Sequence, residues 1–378
     1  MAGIYIHIPF CKQACFYCDF HFSTSLKKKE DMIACLVKEI VIRKDALQGQ
    51  PIETIYFGGG TPSLLTNEEL ASILNVVHQN FTVVANPEIT LEANPDDLSS
   101  ERIKNLSESK INRLSIGIQS FFDDDLKSMN RAHNAEEAVN CLKTASKYFD
   151  NITIDLIYGI PKMGAHKWNK NLDIALSFNI NHISSYALTV EPKTALDAFI
   201  KKGVYPPVEE ALALQHFNHL INRLETEGFV QYEISNFGRQ NYFSKHNTSY
   251  WQGKPYLGIG PSAHSFVGNQ RSWNVANNSK YILGIQKGTL PETVEVLSKK
   301  DRYNEFVMTG LRTIWGVSFT AIEEVFGEAF ILHLKKASEK FVLEGLLQIE
   351  TQHREKVLKA TSKGKFLIDG IASELFMI

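Results

Sequence analysis

The run Ile4-Tyr5-Ile6-His7-Ile8-Pro9-Phe10-Cys11-Lys12-Gln13-Ala14-Cys15-Phe16-Tyr17-Cys18 sets a short apolar strand directly before three cysteines. Ile4 to Ile8 reads as β, and Pro9 ends it because proline has no amide hydrogen for a ladder. Working outward, strand and helix patterns alternate. Lys27 to Leu47 carries Ile33, Leu36, Val37, Ile40 and Val41 at helical spacing. Thr54 to Phe57 reads as a short buried strand that ends in Gly58-Gly59-Gly60. Thr66 is a helix N-cap, with Glu69 as its capping-box partner. Further strands are expected at Glu88–Glu92, Arg113–Ile118, Asn151–Ile157 and His182–Leu188. Six βα units predict an α/β fold, a partial (β/α)6 barrel with outer helices.

Chemistry in such sheets sits at the carboxyl ends of the strands. Those positions hold the cysteine loop, the triple glycine, Glu92 with Asn94, Gln119 with Ser120, and Tyr158-Gly159. Asp155 is polar inside an otherwise apolar strand. The pattern changes near residue 208. One long helix is expected from Val208 to Gly228, then a Gly-, Asn- and aromatic-rich stretch from Tyr232 to Asn278. The tail predicts helices at Arg302–Trp315, Thr320–Val325 and Phe330–Glu344, then strands at Leu346–Ile349 and Val357–Ala360. The expected division is a barrel over 1–230, a linking region over 231–290 and a smaller helix-rich C-terminal domain over 291–378.

The chain has 378 residues, and Lys+Arg 40 against Asp+Glu 42 leaves a net charge of −2. No basic surface for nucleic acid is indicated. No apolar run approaches the roughly 18–20 residues that cross a membrane. Met1 to Pro9 lacks the basic and apolar regions of a secretory signal, so a cytoplasmic location is expected. Five cysteines are too sparse and too odd in number for a disulfide scaffold.

Cys11, Cys15 and Cys18 have C-x3-C-x2-C spacing. Three thiolates on one loop can hold three irons of a 4Fe-4S cube and leave the fourth iron open. An open iron can chelate amino and carboxylate groups, the arrangement that lets a cluster pass an electron to S-adenosylmethionine. Three other readings stand beside it. Cys15-Phe16-Tyr17-Cys18 alone is a redox CxxC, although Cys11 is then unexplained. A zinc site could recruit His7 or His21. Buried structural cysteines are the third, and Cys35 and Cys141, on helical patterns, suit that role best. Two further motifs are set aside. Gly258-Ile259-Gly260 lacks the strand–helix frame of a dinucleotide fingerprint, and no Gly-Lys-Ser/Thr follows the triple glycine.

Tyr5-Ile6-His7-Ile8-Pro9-Phe10-Cys11 with its cysteine spacing resembles the radical S-adenosylmethionine superfamily. Within it, the chain resembles the branch of anaerobic coproporphyrinogen III oxidase and the HemW-type heme chaperones. Gly58-Gly59-Gly60-Thr61-Pro62-Ser63, Leu91-Glu92-Ala93-Asn94-Pro95, Ser115-Ile116-Gly117-Ile118-Gln119-Ser120 and Asp155-Leu156-Ile157-Tyr158-Gly159-Ile160-Pro161 resemble successive strand-end segments of that branch. The resemblance implies a 4Fe-4S cluster on the three cysteines and S-adenosylmethionine near Tyr5, Tyr17, Gly59, Gly60, Thr61, Glu92, Gln119, Arg131, Asp155 and Ala187.

Two functions remain in that branch. The oxidase carries a fourth cysteine two residues past the third, where this chain has Phe20, and a longer segment ahead of the cluster. His246-Asn247-Thr248-Ser249-Tyr250-Trp251 resembles the chaperones' signature. Imidazole is a natural heme ligand, and aromatic rings pack on a porphyrin face. The resemblance therefore implies a heme carrier, with His246, Tyr250, Trp251 and His264 as heme-binding candidates and no catalytic residue assigned. It also implies heme-acceptor proteins as partners, respiratory ones among them, and peripheral contact with a membrane is compatible with that.

Overall fold

A computed structural model describes residues 1–352 and 355–378. Six strands run parallel in chain order: β1 (Ala2–Ile8), β2 (Ile52–Gly59), β3 (Val83–Ala93), β4 (Arg113–Gln119), β5 (Ile152–Tyr158) and β6 (His182–Ala187). Helices connect them on the outside, which makes the partial (β/α)6 barrel. Strand alternation explains why. Ile4, Ile6, Ile55, Phe57, Ile89, Leu91, Leu114, Ile116, Ile154 and Ile183 are buried on the helix-facing side. The other face is polar: Tyr5, Tyr56, Thr90 and Arg113 lie in one register, and Glu92, Ser115, Thr153 and His182 in the next.

The interior polar groups satisfy one another. Arg113 is buried and donates to the Thr153 hydroxyl. Thr153 meets His182 Nδ1 at 3.0 Å, and His182 Nε2 meets the Tyr232 hydroxyl at 2.7 Å. Burying these groups unpaired would cost several kcal/mol in sum, at roughly 1–3 kcal/mol each.

The barrel stays open, and each edge is covered by later chain. At the β6 edge lie β7 (Val230–Glu233) and β8 (Asn236–Gly238), with β8 antiparallel to β6. At the β1 edge, β9 (Tyr256–Ile259) pairs in parallel with β1. Then β10 (His264–Val267), β11 (Gln270–Asn274) and β12 (Glu292–Val296) continue antiparallel, giving a twelve-stranded sheet. Buried Glu39 locks this extension to the first helix, Lys29–Ile42. It accepts from Arg43 Nε at 2.8 Å, Asn274 Nδ2 at 2.7 Å, the Gly260 amide at 2.8 Å and the Tyr281 hydroxyl at 2.5 Å.

A second hydrophobic cluster gathers Tyr303, Val307, Leu311, Ile322, Phe326, Leu334, Leu358, Ile371 and Leu375. It joins helices Lys299–Leu311, Phe319–Phe326, Glu328–Leu343 and Ile368–Glu374 to a sheet ordered β13 (Val317–Ser318), β15 (Glu355–Ala360), β14 (Leu347–Gln352). Arg312 ties it to the barrel side through Glu233 at 2.8 Å, with its guanidinium over the Trp251 ring.

Thr66 and Glu69 form the capping box expected of them. The expected Lys27–Leu47 helix is shorter, Lys29–Ile42, and a turn with Gln48 at φ 51° follows. The expected Arg302–Trp315 helix starts earlier, at Lys299, because Ser298 and Asp301 form another capping box; it ends at Leu311. Gly258 lies in β9, and antiparallel β10 follows, so no dinucleotide loop forms there.

Candidate functional site

The loop after β1 carries Cys11, Cys15 and Cys18, all half-buried and none in a disulfide. Its backbone is pinned by Cys11 N to the Ser23 carbonyl at 3.1 Å and by Phe16 N to the Met129 carbonyl at 3.1 Å. Burial pushes the Cys18 thiol up to about 11, and the charges of Cys15 and Cys11 add to the rise. Cys11 is likewise raised by burial, against a hydrogen bond with Thr61. Cys11 and Cys18 each feel the charge of Cys15, a repulsion that a shared cationic centre relieves. Among the described residues, no three His, Cys, Asp or Glu side chains close around a single metal-ion position.

Beneath this loop runs the end of β2. A Cβ at Gly59 (φ 104°) would lie 2.4 Å from the His7 ring, and one at Gly60 would lie 2.6 Å from the Phe10 carbonyl oxygen. Only glycine lets the chain pass this close to the His7 ring and the Phe10 carbonyl. The Gly59 amide donates to Glu92 Oε2 at 3.2 Å, and the Tyr56 hydroxyl donates to Oε1 at 2.7 Å. Burial holds the Glu92 carboxyl above its usual range. Thr61 is buried and accepts from Asn94 Nδ2 at 3.3 Å. Tyr5 stacks toward Tyr56 and meets His7 Nδ1 at 3.2 Å.

Arg131 reaches in from the segment after β4. It donates to Asn94 Oδ1 at 2.6 Å and to the Gly117 carbonyl at 2.8 Å, and lies 3.5 Å from Cys15 Sγ. Its Nε is buried with no partner. Tyr17 stands beside Arg131, and burial raises its phenol well above the ordinary value. Gln119 ends β4 at φ 65°, a conformation rare for a non-glycine residue. Asp155 is raised to about 7, first by burial and then by the charge of Glu92. Ala187 closes β6 opposite Tyr158. Tyr5, Gly59, Glu92, Gln119, Arg131 and Asp155 thus share the carboxyl end and interior of the barrel. A free guanidinium nitrogen, a carboxyl raised to about 7 and three half-buried thiols fit a small zwitterionic cofactor. Sequence reasoning passed over Tyr56 and Arg113. Tyr56 stands two residues before Gly58 on the same strand face, which is the signal that would have found it.

The motif from His246 to Trp251 starts in the barrel interior and ends at a cavity wall. It forms the helix Lys245–Trp251, whose first amides, Lys245 and His246, donate to the buried Glu88 carboxylate at 3.0 and 2.9 Å. That carboxylate offsets the positive end of the helix. His246 is 1% exposed. Its Nδ1 meets the Thr54 hydroxyl at 2.7 Å, its Nε2 meets the Tyr250 hydroxyl at 2.7 Å, and its ring stacks on Tyr56 at 4.8 Å. Burial lowers it to about 3, so it is neutral. Both nitrogens are engaged. Tyr250, Trp251 and His264 instead line a cavity of about 1310 Å³. This cavity runs from Tyr5, Gly59, Glu92, Asp19 and Phe20 to the helix Lys299–Leu311.

Residues 5–173 match the radical SAM superfamily, and residues 297–367 match the HemN C-terminal domain. The heme chaperone HemW of Bacillus subtilis is 34% identical, over 97% of this chain and 97% of its own. The chain belongs to the HemW family. A heme chaperone HemW of Mycobacterium tuberculosis is 30% identical over 99% of this chain and 94% of its own. The mouse protein named radical S-adenosyl methionine domain-containing protein 1, mitochondrial, is 33% identical over 92% and 82%. Among solved structures, the coproporphyrinogen III oxidase HemN of Escherichia coli superposes with a TM-score of 0.85, covering 100% of this chain and 90% of that one. At 22% identity that likeness concerns the fold. In this HemW-family chain, Phe20 stands 67% exposed on the cavity wall. No helix among the described residues is long and apolar enough to cross a membrane.

Proposed function

We propose that this chain is a heme chaperone that binds heme and delivers it to acceptor proteins. The single observation that carries the reading is the cavity. Its lining includes Asp19 and Phe20 just past the third thiol, the S-adenosylmethionine candidates Tyr5, Gly59 and Glu92, and also Tyr250, Trp251, Tyr256 and His264. Full-length similarity to proteins named heme chaperones supports it over the oxidase, as does Phe20 in place of a fourth thiol.

In this reading Cys11, Cys15 and Cys18 hold the 4Fe-4S cluster. Tyr5, Tyr17, Gly59, Gly60, Thr61, Glu92, Gln119, Arg131, Asp155 and Ala187 surround S-adenosylmethionine. When bound, that pair supplies one-electron chemistry. The chain's own residues bind and shield. Arg131 would offer its unpartnered Nε to a carboxylate, Glu92 and Asp155 would face an ammonium group, and Tyr5 and Tyr56 would wall the site from water. Residues 1–230 form the cofactor domain, 231–290 carry the heme signature, and 291–378 close the far side of the cavity. The carrier works in the cytoplasm, with peripheral contact at the membrane when it serves respiratory acceptors.

The test uses anaerobically purified, cluster-reconstituted protein. Hemin titration gives a saturable Soret shift, and mixing with an apo-cytochrome transfers the heme. Coproporphyrinogen III with S-adenosylmethionine and reductant gives no protoporphyrinogen. Turnover in that last assay overturns the carrier reading.

A further inference from the structure

Four histidines touch the cavity or border it, and their ring nitrogens differ in availability. Those of His246 are both taken, and its ring lies behind the wall. Those of His7 are taken by the Tyr5 hydroxyl at 3.2 Å and the His21 carbonyl at 2.9 Å. His21 holds Asn278 through Nε2 at 2.8 Å and stacks on His7. His264 is exposed on the cavity wall, and neither ring nitrogen has a hydrogen-bond partner among the described residues. Its ring stacks on Trp273 at 5.9 Å, which orients it. Burial, then the charge of Arg271, holds its pKa below the ordinary histidine value.

The register around His264 builds a platform. His264 pairs with Trp273, Phe266 with Arg271, and Phe266 also with Tyr256. Paired residues share a sheet face, so these five side chains lie together. The helix Lys299–Leu311 stands opposite. Arg271 meets Glu305 on it at 2.7 Å, and Arg302 lies over the Phe326 ring at 5.8 Å without an ion-pair partner among the described residues. Aromatic walls, an imidazole free at both nitrogens and the unpaired Arg302 guanidinium suit a flat iron chelate with carboxylate arms. At about 1310 Å³ the cavity exceeds the roughly 300–1,000 Å³ of an ordinary small-molecule site. It has room for the macrocycle beyond the cofactor end.

We propose that heme lies between the β9–β11 face and the helix Lys299–Leu311, with His264 as its axial ligand and Arg302 holding a propionate. This rests on the heme-carrier reading and goes beyond it by moving the ligand off the His246 signature. His246 is then a positioning residue that holds Tyr250 and Tyr56.

Hemin is titrated into the full chain, with binding read from the Soret band and ligation from low-temperature electron paramagnetic resonance. In His264→Ala, hemin binds about tenfold or more weaker and the histidine-ligated signal disappears. Added imidazole restores that signal. His246→Gln, once shown folded by circular dichroism, keeps it. Arg302→Gln weakens hemin several-fold but leaves hemin dimethyl ester, which has no propionate charge, unchanged. The proposal is overturned if His264→Ala keeps the parent signal, or if Arg302→Gln weakens both ligands equally. Failure of the parent chain to bind hemin at all is a different result, and it removes the carrier reading itself.

Discussion

Replacing His246 with alanine tests whether the signature histidine is a structural plug or a surface ligand. The side chain is 1% exposed, so its removal leaves a hole that solvent does not fill freely. The substitution strands two hydroxyls, Thr54 and Tyr250, that each meet a ring nitrogen at 2.7 Å. Leaving a buried polar group unpaired costs about 1–3 kcal/mol. Tyr250 retains partial access to the cavity and so sits at the low end of that range. Losing the stack on Tyr56 at 4.8 Å removes a further 0.5–1.5 kcal/mol, roughly. Together the loss is about 3–5 kcal/mol, a large fraction of the 5–15 kcal/mol, roughly, that holds a domain folded. His264→Ala removes an exposed ring and is expected within about 0.5 kcal/mol of the parent. Urea unfolding of the apo chain, followed by far-ultraviolet circular dichroism at pH 7.5, compares the two. A His246→Ala midpoint indistinguishable from that of His264→Ala would refute the plug and return His246 to the surface.

Three further outcomes are expected. Gly60→Ala drives a Cβ to 2.6 Å from the Phe10 carbonyl oxygen and 2.7 Å from that of Ile8. Both obstacles are backbone, so the thiol loop shifts; iron retention after reconstitution falls and stability drops by about 1–3 kcal/mol. Glu39→Ala leaves Asn274 and Tyr281 without their shared acceptor and costs about 3–5 kcal/mol, seen as early loss of protection of the β9–β12 amides in hydrogen exchange. The third outcome concerns acid. His133 and His216 are lowered to about 4 by burial, His246 to about 3, and His182 well below 6.5. A lowered folded pKa means that the unfolded chain binds the proton first. This stability is complete above about pH 6.5 and lost as pH falls toward 4, by up to about 1.4 kcal/mol per pH unit per histidine. Asp155, raised to about 7, works in the opposite sense between pH 7 and 3.8 and offsets one of the four. Stability flat between pH 7 and 5 in a urea series would contradict this.

The barrel was legible because its signals are local. Ile4 to Ile8 before Pro9 marks β1, and Thr66 with Glu69 marks a helix start; both follow from short-range stereochemistry. The strand-end polar residues were legible for the same reason, since a parallel sheet exposes only its ends. Strands β9 to β12 were not. They are four or five residues long, and they exist because β1 offers an unpaired edge and Glu39 reaches across more than two hundred residues to Gly260 and Asn274. No periodicity within four residues encodes such a contact.

The signature His246-Asn247-Thr248-Ser249-Tyr250-Trp251 shows where motif reading stops. A motif gives residue type and spacing but not depth. The spacing of His246 and Tyr250 is one helical turn, which suits two ligands on a surface and equally a hydrogen bond inside a core. Glu88 decides between them. Its buried carboxylate lies on β3, about 160 residues upstream, and takes the first two amides of the motif helix. That draws the helix N-terminus and His246 into the barrel, while Tyr250 and Trp251, one turn later, emerge at the cavity wall. The motif therefore joins the barrel interior to the cavity. Through Tyr56, which stacks on His246 and donates to Glu92, a displaced motif helix would disturb the carboxylate at the S-adenosylmethionine end.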